Sequence, residues 1–267
     1  MKHLLYLVLT VFFILTLAAC SQQKTETQEP KTEEEQDLQP VSWSYTGEAG
    51  PQSWGELDEE YAACVNGSEQ SPINIDFSQA KIGETLVNID THYEPASFSF
   101  VNDGHTIQVN NSSKNNKMIL EETEYRLIQF HFHTPSEHQF NGIQYPMELH
   151  LVHQNGKDEL AVLGVMIQEG NVNENLQPIW DVLPKEKTEE EVAVNESINL
   201  QPLLPQTKSF VHYEGSLTTP PCTEDVKWFV LEQPIDMSKE QIEAFRQIFP
   251  DNHRPVQPIN EREIMKN

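Results

Sequence analysis

Short runs of alternating apolar and polar residues dominate the chain from Val41 onward, and Gly, Asn, Asp and Pro separate them. Alternation with a period of two is typical of half-buried strands, whose successive side chains point to opposite faces. With 267 residues, the chain can form one globular domain. We predict a predominantly β fold with short helices (α+β), a single domain around a large, mostly antiparallel twisted sheet. The clearest candidate strands are Ser97–Val101, Thr106–Asn110, Tyr125–His133, Met147–His153, Leu160–Ile167 and Val226–Leu231.

Two short helices are also predicted. In the first, Ser238 is a suitable N-cap because Gln241 follows three residues later, and Pro250 ends the helix. The second covers residues 173–183 and is interrupted by Pro178. The apolar face of the first helix comprises Ile242, Phe245 and Phe249.

The N-terminus predicts export from the cytoplasm. Lys2 precedes an apolar run from Leu4 to Leu17, and residues 1–19 form a secretory signal peptide in this interpretation. Because small residues precede Cys20, the segment resembles the bacterial lipobox, which predicts cleavage before Cys20 and lipid on it. An uncleaved transmembrane anchor is the alternative, although the run is shorter than the ~20 residues that span a bilayer. Both interpretations place the domain outside the cytoplasm, on a bacterial cell surface or in the periplasm.

Residues 20–40 are predicted to form a disordered acidic tether between the lipid and a folded domain over residues 41–267. The segment is rich in Gln, Glu and Thr and too polar to bury a core, although an acidic functional tail is an alternative. The net charge of −25 becomes −26 when Lys2 leaves with the signal. Such a surface repels phosphates and anionic headgroups, so we expect no nucleic-acid partner and membrane contact through the lipid only.

Three cysteines occur in the chain. If Cys20 carries lipid, Cys64 and Cys222 remain as a pair in an oxidising compartment, and only one intramolecular disulfide is then available. Two unpaired core thiols are the alternative.

Residues 129–133 carry the most informative pattern. Their sequence, Gln-Phe-His-Phe-His, alternates with the period of a strand. His131 and His133 therefore share one face with Gln129, and the two phenylalanines point to the other. Two histidines on a strand are usually structural or exposed residues, so this pair alone is weak evidence for a metal site.

Residues 148–153 form a second alternating segment, in which His150 shares a face with Glu148 and Val152, while His153 points to the opposite side. If the two strands are antiparallel neighbours, His150 meets the first two histidines. Three neutral imidazoles match a catalytic zinc site that leaves the fourth position open. The amide and acid on the same faces suit the support of ligand imidazoles, although cross-strand pairing also explains them.

The chain from Trp43 to Ile264 resembles the alpha-class carbonic anhydrases. Each motif alone is weak evidence, but the ordered set is specific. The motifs are Gln-Phe-His-Phe-His at 129–133, Ser-Glu-His at 136–138, Glu-Leu-His-Leu-Val-His at 148–153, Ser-Leu-Thr-Thr-Pro-Pro at 216–221, Gln-Ser-Pro-Ile-Asn at 70–74, Asn-Asp-Gly-His at 102–105, Trp228 and Asn-His-Arg-Pro at 252–255.

The resemblance implies a zinc enzyme that reversibly hydrates CO2 to bicarbonate and a proton, by attack of zinc-bound hydroxide on CO2. It implies one Zn2+ per chain. The implied zinc ligands are His131, His133 and His150, supported respectively by Gln129, a backbone carbonyl near Asn252, and Glu148.

The family pattern also implies roles around the metal. Thr218 accepts a hydrogen bond from the hydroxide and donates one to Glu137, His105 is the proton shuttle, and Tyr45 helps to order a water chain. From the residues alone, Thr218 could be a turn residue and His105 an ordinary surface histidine. The positions that match the CO2 site are Val152, Val162, Leu217, Thr218, Thr219 and Trp228. The two valines, the leucine and the tryptophan could also be ordinary core residues.

Cys64 and Cys222 match positions that are bridged in many secreted family members. Thr134 departs from the tryptophan of animal members, which leaves the shape of the rim open. One alternative function is a binding protein on the same scaffold, although such relatives typically lack a ligand histidine. Another is an esterase, which fits better as a side activity because no acyl pocket is evident. The oligomeric state stays open, with a dimer as one alternative.

Overall fold

A computed structural model describes residues 42–83, 87–205 and 209–267 of the chain. The predicted signal peptide, Cys20 and the tether lie outside the described residues. Over the three described ranges, the helices are all too short or too polar to cross a membrane.

Fifteen strands occur within the described ranges. They are β1 (Asn74–Ile75), β2 (Lys81–Ile82), β3 (Ile89–His92), β4 (Phe98–Asn102), β5 (Ile107–Asn111), β6 (Lys117–Leu120), β7 (Thr123–His133), β8 (Gln139–Phe140), β9 (Ile143–Gln144), β10 (Met147–Gln154), β11 (Leu160–Glu169), β12 (Val192–Ala193), β13 (Phe210–Gly215), β14 (Val226–Met237) and β15 (Met265–Lys266).

The helices within these ranges are short. The α-helices are α1 (Trp54–Leu57), α2 (Ala63–Asn66), α3 (Gln177–Trp180) and α4 (Lys239–Arg246), and the 3-10 helices are Gly47–Ala49, Glu59–Tyr61 and Gln201–Leu203.

Twelve of the described strands form one mixed sheet. The main path runs β12-β4-β5-β7-β10-β11-β14-β13-β15-β2, and β6 joins β3 to β7. Neighbouring strands pair antiparallel except for the pairs β11 with β14 and β15 with β2. The predicted fold class, a mostly antiparallel sheet with short helices, is confirmed. Strands β1, β8 and β9 form a small separate sheet.

The two faces of β7 meet different surroundings, as the alternation predicts. Phe130 and Phe132 are fully buried in the larger apolar core. Phe132 packs edge-on against Trp180 of α3 and Phe245 of α4, with ring centroids 5.0 and 5.8 Å apart. These helices therefore cover the phenylalanine face of the strand, and the opposite face carries His131 and His133.

Helix α4 begins as predicted. The side chain of Ser238 accepts a hydrogen bond from the Gln241 N–H, and the Gln241 side chain accepts one from the Ser238 N–H, so a capping box is present. The helix ends at Arg246, about one turn before the predicted end, although the Phe249 N–H still donates to the Phe245 carbonyl at 3.0 Å. Phe249 nevertheless stays buried beside the helix.

Other boundaries differ from the prediction. The helix predicted over 173–183 is confined to α3, a single turn with Pro178 near its start. Strands β4 and β5 begin one residue later than predicted. Strand β14 continues past Leu231 to Met237, because a register shift opposite β11 accommodates Pro234.

Candidate metal centre

The three histidines meet because β7 and β10 are antiparallel neighbours. Their register places His150 opposite His131 and Glu148 opposite His133. The centroids of the three imidazoles lie 4.6 to 5.2 Å apart. One ring nitrogen from each lies within 4.8 Å of the others. His133 and His150 are buried, and His131 is partly exposed.

The second ring nitrogen of each imidazole has an acceptor beside it. This fixes which nitrogen faces the common point, because the tautomer follows from the acceptor. Nε2 of His131, Nε2 of His133 and Nδ1 of His150 remain for that point. The hydrogen bonds are His131 Nδ1 to Gln129 Oε1 at 2.9 Å and His133 Nδ1 to the Asn252 carbonyl at 2.7 Å; His150 Nε2 lies 2.9 Å from Glu148 Oε1, outside hydrogen-bond geometry.

All three imidazoles are neutral near pH 7. Burial lowers the pKa of His133 to about 4, with the Asn252 carbonyl acting weakly the other way. Burial, followed by the neighbouring imidazoles, holds the pKa of His131 well below its usual value. Burial also lowers the pKa of His150, against the opposing effect of Glu148. A neutral imidazole is the form that binds a metal.

Glu148 lies at the centre of a buried network that sequence reasoning missed in part. Its Oε2 accepts the N–H groups of Glu137 and His138 at 2.9 and 2.8 Å. Its Oε1 lies 2.8 Å from His138 Nδ1, and His138 Nε2 lies 2.6 Å from the Tyr213 hydroxyl. Burial alone would raise the pKa of Glu148, but His138 and His150 hold it well below its usual value, so the carboxylate is ionised.

Glu137 is fully buried beside the imidazoles. Its Oε1 accepts the Arg254 N–H at 2.8 Å. Its Oε2 has no hydrogen-bond partner among the described residues and lies 3.5 Å from His133 Nε2. Burial raises the pKa of Glu137, while the nearby His150 imidazole, the Arg254 N–H and the neighbouring Thr218 hydroxyl act to lower it. The threonine and the acid therefore lie together next to the histidine cluster.

An apolar surface adjoins the cluster. The Trp228 ring centroid lies 4.9 Å from that of His150, and its indole N–H donates to the Ser216 carbonyl at 2.9 Å. Thr219 is half-buried, and its carbonyl accepts the Cys222 N–H. The remaining predicted wall residues pack in the same apolar cluster as Trp228; they are Val152, Val162 and Leu217.

His105 lies on the turn between β4 and β5. Its half-buried ring stacks on Trp43, with centroids 3.7 Å apart and planes 9° apart. Burial lowers its pKa, Asp103 opposes this, and Lys187 adds to it. The Tyr45 ring lies edge-on at 6.4 Å from His105. Burial, followed by the charge on Glu137, raises the pKa of Tyr45, so this hydroxyl is neutral.

Cys64 and Cys222 form a disulfide. The predicted pairing is confirmed, and the alternative of two free thiols is wrong. The bridge joins α2 to the segment that follows Thr218. Gln70 supports it by donating its amide N–H to the Cys222 carbonyl at 3.0 Å.

Comparison with known proteins decides the family. The family model described as eukaryotic-type carbonic anhydrase matches residues 49–267. The chain belongs to the alpha-class carbonic anhydrases. A carbonic anhydrase of Klebsiella pneumoniae is 42% identical over 226 residues, covering 84% of this chain and 90% of that protein. A carbonic anhydrase of Nostoc sp. is 40% identical over 228 residues, which cover 85% of this chain and 86% of that protein.

A solved structure of this family has the same fold. The alpha-carbonic anhydrase of Thermovibrio ammonificans, in complex with the inhibitor sulfanilamide, matches with a TM-score of 0.81 at 40% identity. The match covers 85% of this chain and 99% of that chain. As a member of the family, the protein is an enzyme that hydrates CO2, with CO2 and bicarbonate as its substrates. Its disulfide and its bacterial carbonic anhydrase relatives indicate a location outside the cytoplasm.

Proposed function

We propose that CO2 hydration by this chain depends on one zinc ion held by Nε2 of His131, Nε2 of His133 and Nδ1 of His150. The observation that carries the proposal is the buried His133 Nε2, which has no hydrogen-bond partner among the described residues. A buried polar atom left in this state costs roughly 1 to 3 kcal/mol, which a metal bond would offset. Three neutral nitrogens with supported second nitrogens fit a catalytic zinc site.

When bound in such a site, zinc lowers the pKa of a water in its open position to about 7, which supplies a nucleophile near neutral pH. Glu137 and Thr218 would orient that nucleophile toward the substrate. The Glu137 carboxylate would accept a hydrogen bond from the Thr218 hydroxyl, so the threonine oxygen would be left to accept a hydrogen bond from the group in the open position. In the open position of the site, Thr218 and Glu137 would therefore favour a bound group that has a proton to donate over one that has none.

The remaining predicted residues bind substrate and move the proton. CO2 is apolar and suits the wall formed by Trp228 and its apolar neighbours, with Thr219 at its edge. The imidazole of His105 would accept the proton that leaves the centre and pass it to buffer, because an imidazole gains and loses a proton close to neutral pH. Burial lowers the pKa of His105, which favours release of the proton to buffer. The neutral Tyr45 hydroxyl would hydrogen-bond to water between His105 and Glu137, since it is buried without a hydrogen-bond partner among the described residues and the charge on Glu137 acts on it.

We propose further that residues 1–19 are a cleaved signal, that Cys20 is lipidated and that residues 20–40 tether the domain 41–267 to the membrane. The support is the small residues before Cys20 and the polar composition after it. Cys20→Ser should move the protein from the membrane fraction to the soluble fraction, and mass spectrometry should find no lipid on its N-terminal peptide. A wild-type N-terminal peptide without lipid would contradict the proposal.

The zinc proposal is tested by His133→Ala, with His92→Ala as a matched control. His92 is an exposed histidine on β3 that contacts Asp90 at 3.0 Å, far in sequence from the cluster. We expect His133→Ala to lose both bound zinc and CO2 hydration, measured by elemental analysis and stopped flow, and the control to keep both. Stoichiometric zinc in folded His133→Ala would contradict the assignment of the ligands.

The shuttle is tested separately. His105→Ala should slow turnover in weak buffer, and added imidazole should restore it, because a small imidazole can take over the proton transfer. An unchanged rate in weak buffer would remove His105 from this role.

A further inference from the structure

The segment after α4 passes between the metal centre and the loop that carries His105, and Asn252 is the residue that contacts both. Asn252 is fully buried. Its main chain pairs with the end of β7: the N–H donates to the Thr134 carbonyl at 3.0 Å, and the carbonyl lies 2.7 Å from His133 Nδ1. This side of the residue belongs to the metal centre already described.

The side chain of Asn252 makes three further hydrogen bonds. Its Oδ1 accepts the Thr134 N–H at 2.7 Å. Its Nδ2 donates to two carbonyls, those of His105 and Phe132, both at 3.0 Å. A primary amide offers two donors, and both are used here by carbonyls from different parts of the chain. Phe132 lies between two of the zinc ligands, so one amide nitrogen joins the ligand strand to the His105 loop.

Asn102, at the start of the loop, donates its N–H to the Thr188 hydroxyl at 3.0 Å and its side-chain amide to the Pro184 carbonyl at 3.1 Å. The next hydrogen bonds lie within the turn. Asp103 Oδ1 accepts the N–H groups of His105 and Thr106 at 2.7 and 2.8 Å. Asn102 Oδ1 accepts the Gly104 N–H at 2.9 Å, where a φ of +91° favours glycine. These contacts shape the turn but do not fix its position relative to the metal. The pairing of β5 with β7, which sets Gln108 opposite His131, anchors the end of the loop on the ligand strand. The Thr106 hydroxyl, which donates to the Phe132 carbonyl at 2.7 Å, and the Asn252 amide add side-chain bonds between the loop and that strand.

We propose that the side chain of Asn252 is a positioning residue for proton transfer, which holds His105 at a fixed distance from the metal centre. The inference rests on the proposed roles of His105 and His133. Proton transfer needs donor and acceptor in a narrow range of geometry, and a misplacement of about 1 Å can cost about 100-fold in rate. Without the amide, the His105 carbonyl loses its bond to the ligand strand.

The experiment is a double-mutant cycle in the full chain. CO2 hydration per bound zinc is measured in weak buffer for wild type, Asn252→Ser, His105→Ala and the double variant. Serine is too short to reach both carbonyls, and Asn252→Ala repeats the cycle with no polar group. Asn116→Ala is the control, because Asn116 is also fully buried and its side chain accepts the Glu94 N–H outside the site.

We expect Asn252→Ser to lower weak-buffer turnover roughly tenfold, within the range that a misplacement of this size allows. Imidazole should restore much of the loss, and Asn252→Ser should cause no further loss in the His105→Ala background. In zinc-free protein, the proton NMR signal of the His105 ring should shift, because the ring stacks on Trp43. Asn116→Ala should leave turnover unchanged.

An equal loss from Asn252→Ser with and without His105 would overturn the inference, since the side chain would then act independently of the shuttle. An unchanged His105 signal in folded Asn252→Ser would overturn it as well. If His105→Ala has no effect in weak buffer, the shuttle assignment itself fails and the inference with it. If His105→Ala slows turnover and Asn252→Ser does not, the inference alone fails.

Discussion

A buried histidine outside the metal centre predicts how the protein responds to acid. His153 follows His150 on β10 but points into the opposite core, and it is fully buried. Its Nε2 lies 2.8 Å from the Tyr93 hydroxyl, and its Nδ1 lies 3.3 Å from the Ala161 carbonyl. Burial lowers the pKa of His153 to about 4, so the folded protein holds this imidazole neutral.

The difference in proton binding between the unfolded and folded chains determines how the free energy of unfolding changes with pH. Between pH 6.5 and 4, the unfolded chain protonates this imidazole and the folded chain does not, so the free energy of unfolding falls as the pH falls. The contribution of neutral His153 to the free energy of unfolding is fully present above the unfolded pKa of about 6.5 and is lost as the pH approaches 4. A pKa difference of about 2.5, which is 6.5 minus about 4, corresponds to about 3 kcal/mol.

The perturbation is His153→Gln, in which the amide can still hydrogen-bond to Tyr93 but does not titrate. Denaturant unfolding followed by tryptophan fluorescence gives the free energy of unfolding from pH 7.5 to 4.5. Metal is removed from both proteins, so that the remaining histidines contribute equally to the pH dependence of stability in wild type and variant. Between these limits wild type should lose more stability than the variant, by most of the 3 kcal/mol. Parallel pH profiles would refute the reasoning, and His92→Gln, at an exposed site, serves as the control.

Three further predictions concern the bridge, the metal centre and α4. Replacing Cys64 and Cys222 by serine should lower the free energy of unfolding by up to about 5 kcal/mol, because the bridge closes a sequence separation of 158 residues; a loss below about 1 kcal/mol in denaturant unfolding would contradict this. Glu148→Gln should weaken zinc binding roughly 10- to 100-fold, because the carboxylate supports His150. Chelator competition measures that affinity, and wild-type affinity would count against the role. Ser238→Ala should cost about 1 kcal/mol in thermal unfolding through loss of the capping box, and an unchanged melting temperature would argue against it.

The strands that carry the metal centre could be predicted because their pattern is local. Two alternating segments fix which side chains share a face, and only the antiparallel register of β7 and β10 had to be assumed. The capping box at Ser238 is also local, since its two partners lie three residues apart. Each of these features is encoded within about ten residues.

The supporting contacts could not be predicted in the same way because they join distant parts of the chain. The Tyr213 hydroxyl reaches His138 across 75 residues and Ser71 across 142 residues. Tyr213 lies on β13, which was not among the predicted strands. The Asn252 amide reaches His105 across 147 residues. The motif around Asn252 predicts a backbone carbonyl for His133, but no periodicity indicates where its side chain points.

CO2 hydration should rise and fall with zinc content, because we propose that the three histidines hold the zinc on which it depends. The most direct test is stopped-flow CO2 hydration by the purified full chain, with zinc content measured before chelation, after chelation and after zinc is added back. We expect activity to disappear with the zinc and to return in proportion to the zinc restored, up to one ion per chain. Stoichiometric zinc with no hydration above the buffer rate would contradict it.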